Sequence, residues 1–208
     1  MNIAQHYRSL FLEYGDAPQA AQWTDLESQE KRFQILNEVA DLNKSKVLDL
    51  GCGTAHLATY FKKIGINVQY TGIDIVEELL KCAAKKHPEH RFCGLDEGLA
   101  DSYDYVLISG VFNNSMPDNR AFYREMLKRC FMVAHRGLAF NMLSHYVDYY
   151  DEGLFYEKPE EVFTFVKQEL SPFITIRNDY QIKKGIIPYE FTVYVYKDLT
   201  ISDLSGDA

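Results

Sequence analysis

No apolar run in the 208 residues approaches the roughly 20 that a membrane-spanning helix requires. The N-terminal stretch MNIAQHYRSLFLEYG lacks the charged-then-apolar pattern and small-residue cleavage site of a secretory leader. The expectation is therefore a cytoplasmic chain with no membrane partner. Cysteine is scarce, and the four at positions 52, 82, 93 and 130 form no CxxC pair and no zinc spacing. They lie inside apolar segments and read as small core residues, and no metal is expected. Positive charge is also short. With 22 Lys and Arg against 30 Asp and Glu, the net charge is -8, which argues against broad phosphate-backbone binding. Arg120, Arg124 and Lys128 do recur every four residues, but a charged stripe on a helix reads first as a solvated face. Repeats and low-complexity linkers are missing too.

What is present is an alternation of helical and buried-strand patterns. Ile3, Tyr7, Leu10, Phe11 and Tyr14 have helical spacing, and Thr24 with Glu27 forms a capping-box pattern ahead of Leu26, Phe33, Leu36 and Ala40. KVLDL (46–50), VQYTGID (68–74), a short piece near HRFC (90–93), YDYVLISG (103–110) and GLAFNML (137–143) read as strands. Between them, 54–63, 76–87 and a segment capped by Asp118 read as helices. Pro88 stops the second of these and Pro159 starts another. FITIRNDY (173–180) and FTVYVYK (191–197) alternate like an antiparallel hairpin. Strands apolar on both faces and separated by helices predict a doubly wound α/β fold, a mostly parallel sheet covered on both sides. One domain over 1–208 is expected, with a helical cover over 1–42, a core over 43–199 and a fraying tail over 200–208.

The stretch VLDLGCGTAHLA (47–58) carries the chemistry. An apolar strand ends on Asp49 and is followed at once by Gly51 and Gly53. In doubly wound sheets ligands bind at the carboxyl ends of the strands, and glycine there admits positive φ and close approach to the backbone. A dinucleotide fingerprint would need a third glycine at position 56, where this chain has His56. Asp74 ends the second strand 25 residues after Asp49, where an acid can accept hydrogen bonds from ribose hydroxyls or merely cap the next helix.

The pattern Asp49, Gly51, Gly53, Ala55 resembles motif I of the class I S-adenosylmethionine-dependent methyltransferases, with Ala55 in place of the last glycine. The resemblance implies a Rossmann-like sheet of seven strands in the order 3-2-1-4-5-7-6 and S-adenosyl-L-methionine as cofactor. It places the cofactor ribose on Asp74 beside Ile75, the adenine at Leu95 and Asp96, and the methionine amine near Ser109 and Gly110, with Asp49 acting indirectly. From the helical cover, Tyr7 and Arg32 would meet the cofactor, Arg32 at its carboxylate, and Trp23 the acceptor. Segments such as GLAFNMLSHYVDYYDE and YEFTVYVYK resemble a group of small bacterial methyltransferases.

The methyl acceptor is less defined. Asn113 after the fourth strand could orient an acceptor amine, and His145 after the fifth could serve as base; both also fit plain structural roles. The stretch SHYVDYYDEGLFYE (144–157) interleaves Tyr146, Tyr149 and Tyr150 with acids, which suits a small amine or polyhydroxylated acceptor better than a nucleic acid. The expected activity is methyl transfer to a nitrogen or oxygen of a small molecule. A nicotinamide-dependent oxidoreductase and a non-catalytic cofactor-binding module are the alternatives.

Overall fold

The computed structural model describes residues 3–21 and 25–198. Trp23, Thr24 and the tail 200–208 lie outside them. The sheet is built from β1 (Lys46–Leu50), β2 (Gln69–Ile73), β3 (Arg91–Cys93), β4 (Tyr103–Ile108), β5 (Ala134–Ser144), β6 (Tyr156–Glu157), β7 (Phe173–Arg177) and β8 (Glu190–Tyr196). Its helices are α1 (Ile3–Tyr14), α2 (Leu26–Asn37), α3 (His56–Ile64), α4 (Glu77–Lys86), α5 (Leu95–Gly98), α6 (Asn119–Val133) and α7 (Pro159–Glu169). The strand order is β3-β2-β1-β4-β5-β8-β7, with β6 on the side of β5. Setting aside β6, this is the order 3-2-1-4-5-7-6, parallel through β5 and closed by antiparallel β8 and β7.

Two residues of β6 were not legible as a strand. They pair in parallel with Leu143 and Ser144, beyond Phe140, where the β4 pairing ends. β5 is longer than its apolar core suggested because Ala134 pairs with Tyr103 of β4 at one end and Ser144 with Glu157 of β6 at the other.

Alternating residues of each strand feed two cores. Leu48, Val106, Leu138 and Phe140 face α6 and α7, packing with Tyr123, Leu127, Phe165 and Val166. Val47, Leu107, Ala139 and Tyr194 face the other layer, with Phe33, Leu36, Leu57 and Phe61. Cys52, Cys93 and Cys130 are buried in these layers and all four cysteines are free thiols. Helix ends follow local chemistry. Asp118 caps α6 through Ala121 N at 2.9 Å, and Gly65 ends α3 at φ +77°. The cap of α2 is Asp25, which accepts from Ser28 N at 2.7 Å, one residue later than the Thr24–Glu27 pattern implied.

The basic stripe on α6 is spoken for within the molecule. Arg120 makes two bonds to the buried Glu157, at 2.8 and 2.9 Å. Arg124 lies over the Phe165 ring, and Lys128 pairs with Glu169. The stripe is thus a seam between α6, β6 and α7, where the sequence suggested a solvated face. No described helix is long and apolar enough to cross a membrane.

Candidate active site

The turn after β1 is shaped by three left-handed residues, Gly51 at φ +74°, Gly53 at +55° and Ala55 at +61°. Such alternation coils the backbone tightly between strand and helix. At Gly51 a side chain has no room, because a Cβ would stand 2.5 Å from Val111 Cγ2. At Gly53 a Cβ would meet nothing within 4 Å, since that face opens onto a cavity. Ala55 holds the third left-handed position with a Cβ, a strain of about 1–2 kcal/mol that burial in the apolar layer offsets.

Two acids support this turn. Asp74, after β2, accepts from Gly53 N and Val76 N, both at 2.9 Å. Burial raises its pKa, and those backbone N–H groups partly counter the rise. Asp49 is buried behind the loop and accepts from Tyr70 Oη at 2.5 Å. Burial pushes its carboxyl up to about 7; the Tyr70 bond lowers it and the nearby Asp74 raises it.

The cavity beyond the loop holds about 330 Å³. Asp49, Gly51, Gly53, Asp74, Ile75 and Leu95 line it on the sheet side, and Gly110 and Tyr7 at its far wall. The cover comes from α1 and α2, with Ile3, Gln29 and Phe33. α1 is fixed by polar contacts, Arg8 with Glu78 on α4 at 2.6 Å and Tyr7 Oη accepting from Asn114 Nδ2 at 2.7 Å. Burial pushes the Tyr7 phenol up to about 12.

A second cavity of about 350 Å³ adjoins the first, and Tyr7, Gly110 and Asn114 line both. Its own walls include Asn113, Tyr149, Asp151, Tyr156, Tyr189 and Arg32. Three buried oxygens around the two cavities, Gln29 Oε1, Ser109 Oγ and Asn113 Oδ1, have no hydrogen-bond partner among the described residues. Buried polar atoms are normally paired, so these are natural attachment points for a ligand.

Several residues singled out from the sequence stand elsewhere. Asp96 is on α5 with its side chain 93% exposed and is held outward by Arg129 at 2.9 Å; Leu95 forms the wall instead. Arg32 is buried on α2 and spends its guanidinium on Glu190 Oε2 at 2.7 Å, Tyr189 Oη at 2.8 Å and Ser28 O at 2.8 Å. It borders the second cavity and not the first. His145 lies outside both, packed against Tyr146 and Tyr150. Tyr150 donates to His145 O at 2.6 Å, and Tyr146 is bonded to Glu160 on α7, so neither lines a cavity. Sequence reading missed Gln29 and Tyr189. A polar residue inside the apolar stripe of α2 was the available signal for the first; for the second there was none.

Residues 41–131 match the sequence model of a family described as a methyltransferase domain. A Mycobacterium tuberculosis protein assigned by inference as a methyltransferase is 30% identical over 166 residues, which span 72% of this chain and 91% of that protein. Among solved structures, magnesium protoporphyrin IX methyltransferase from Synechocystis PCC 6803 with bound S-adenosylmethionine superposes with a TM-score of 0.64. Its identity is 15%, over 95% of this chain and 98% of that one. A Burkholderia thailandensis N1-methyltransferase with bound 1,6-didemethyltoxoflavin and S-adenosylhomocysteine gives the same TM-score at 16% identity, over 93% and 86%. At these identities the solved structures speak for the fold alone.

Proposed function

Because this chain belongs to the class I S-adenosylmethionine-dependent methyltransferases, we propose that it methylates a nitrogen or oxygen of a small-molecule acceptor seated in the second cavity. The observation that carries this reading is the wall of Tyr7, Gly110 and Asn114 common to the two cavities. A group held in the first can reach an atom held in the second without leaving the protein.

The first cavity suits the cofactor. The open face at Gly53 leaves room against the backbone, and the unpartnered Gln29 Oε1 and Ser109 Oγ are acceptors for an ammonium group. When bound, the cofactor supplies a methyl group already activated on sulfonium sulfur. The chain then has to bind and orient. Asp74 takes the ribose hydroxyls, Ile75 and Leu95 flank the base, and Asp49 offers negative charge behind the glycine loop. In the second cavity Asn113 Oδ1 accepts a hydrogen bond from the acceptor, which fixes its nucleophilic atom in line. Asp151 is the carboxylate among the described lining residues and receives the proton released from an amine or alcohol. A cavity of this size, with phenols, amides and an acid around it, admits a small amine or polyol and no polyanion.

The test has two arms. S-adenosylhomocysteine at about 100 times its Kd should raise the melting temperature by roughly 5–10 °C, whereas NADH and FAD leave it unchanged. Labelled cofactor is then incubated with host lysate, and methylated products are trapped by mass spectrometry. Tyr149→Ala should cut product formation on the order of tenfold with S-adenosylhomocysteine binding intact. A shift with NADH alone would sink the family chemistry; equal product from the variant would remove the second cavity from the reaction.

Asp49 adds a pH signature. Its folded pKa of about 7 lies above its unfolded value, so its contribution to stability is present at low pH and is lost as pH rises through 7. A bound ammonium favours the ionised carboxylate, so cofactor binding near pH 7 releases a proton. Binding heats should vary with the ionisation enthalpy of the buffer at pH 6.5, and in Asp49→Asn that dependence should vanish.

A further inference from the structure

Away from both cavities, the turn between α4 and β3 gathers His87, Glu89 and His90, with one potential ligand atom from each lying within 4.8 Å of the others. From this arrangement we propose a binding site for a divalent first-row transition metal of the zinc type. His87 Nδ1 stands 3.8 Å and His90 Nε2 3.9 Å from Glu89 Oε1. Tetrahedral zinc with bonds of about 2.0–2.1 Å needs ligand atoms roughly 3.4 Å apart, so the two Glu89 contacts have to close by about half an ångström, and the two histidine nitrogens, within 4.8 Å of each other, have to draw together as well. Glu89, half exposed, and His90 share the turn whose adjustment does this. Two imidazoles, one carboxylate and an open fourth position for water make a borderline-soft donor set that suits zinc, nickel or copper and not magnesium.

A hydrogen bond behind the cluster orients the His87 ring. Thr59 Oγ1 lies 2.9 Å from His87 Nε2, which turns the other ring nitrogen, Nδ1, towards the Glu89 carboxylate. In metal sites the second ring nitrogen of a histidine ligand is routinely held by such a bond. Burial lowers the pKa of both histidines. His87 also caps the C-terminus of α4, where the helix dipole favours a cation. Lys62 and Lys86 oppose it, but Lys86 is already engaged by Asp16 at 2.9 Å. The turn at Pro88 brings the two rings of this His-x-x-His together, with their centroids 5.9 Å apart.

The experiment uses the full chain stripped with a chelator and titrated with zinc chloride in a calorimeter. One zinc should bind per chain and raise the melting temperature by roughly 3 °C or more at saturation, and magnesium chloride should do neither. Glu89→Gln, on an exposed side chain, should weaken zinc binding at least about tenfold while leaving the metal-free melting curve and S-adenosylhomocysteine binding in place, and His90→Ala should weaken zinc binding by as much. Cobalt should give visible bands without the near-ultraviolet thiolate charge-transfer band. Zinc binding of equal affinity in both variants, a thiolate band, or a magnesium heat matching that of zinc would each overturn the site.

Discussion

Glu190→Ala should lower the free energy of unfolding by about 3–5 kcal/mol, the usual consequence of removing one partner from a buried ion pair. Arg32 and Glu190 are both at least 96% buried in their side chains and 2.7 Å apart, where β8 begins beneath α2. Burial raises the Glu190 pKa even against the pull of Arg32, which shows how costly charge is at this place. Without its partner the guanidinium charge is left buried and uncompensated. Tyr180 and Asn178 also lean on Glu190, the first on its carboxylate at 3.2 Å and the second on its carbonyl at 2.8 Å. Urea unfolding of wild type and variant would measure the loss. Glu190→Gln should recover the packing and little of the stability. A change below about 1 kcal/mol in the alanine variant would mean that Arg32 finds an equal partner elsewhere.

Asp74→Ala should weaken S-adenosylhomocysteine binding by at least tenfold, on the order of 2 kcal/mol, through loss of charge-assisted hydrogen bonds in a partly buried cleft. The acid has two duties that calorimetry and melting separate. Its bonds to Gly53 N and Val76 N tie the glycine loop to the start of α4, and losing them costs stability. Its ribose contacts would appear only in the binding heat. Unchanged affinity with a lowered melting temperature would leave Asp74 as a loop support with no cofactor contact.

What could be read from the chain in advance was the part whose cause is local. The strand-glycine-helix passage at 47–58 is short-range chemistry, and strand order followed once that passage was placed within a known sheet. Two of the misplacements share one physical origin, a partner far away in sequence. Arg32 looked available for a carboxylate because Glu190, 158 residues on, cannot be seen from α2. Asp96 looked inward until Arg129 on α6 drew it out. His145 and Tyr150 satisfy each other five residues apart, a bond that no periodicity announces. Ala55 is the converse. The missing glycine was visible in the sequence, but the left-handed backbone there was not, and its cost is offset by a core assembled from other elements.

The two-residue strand β6 reaches beyond the sheet's own needs. By pairing Tyr156 and Glu157 with Leu143 and Ser144, it returns the chain beside the point from which it left. The segment from 145 to 155 is therefore held between two paired strand ends, and Arg120 bolts the exit through Glu157. Gly153, Leu154 and Phe155 are tied to residues 113–115 by backbone bonds, but the part before them can be lengthened with little effect on the domain beneath it, since doubling a loop's length adds only about 0.6 kcal/mol of closure entropy. For an engineer it is the natural place to graft a foreign sequence.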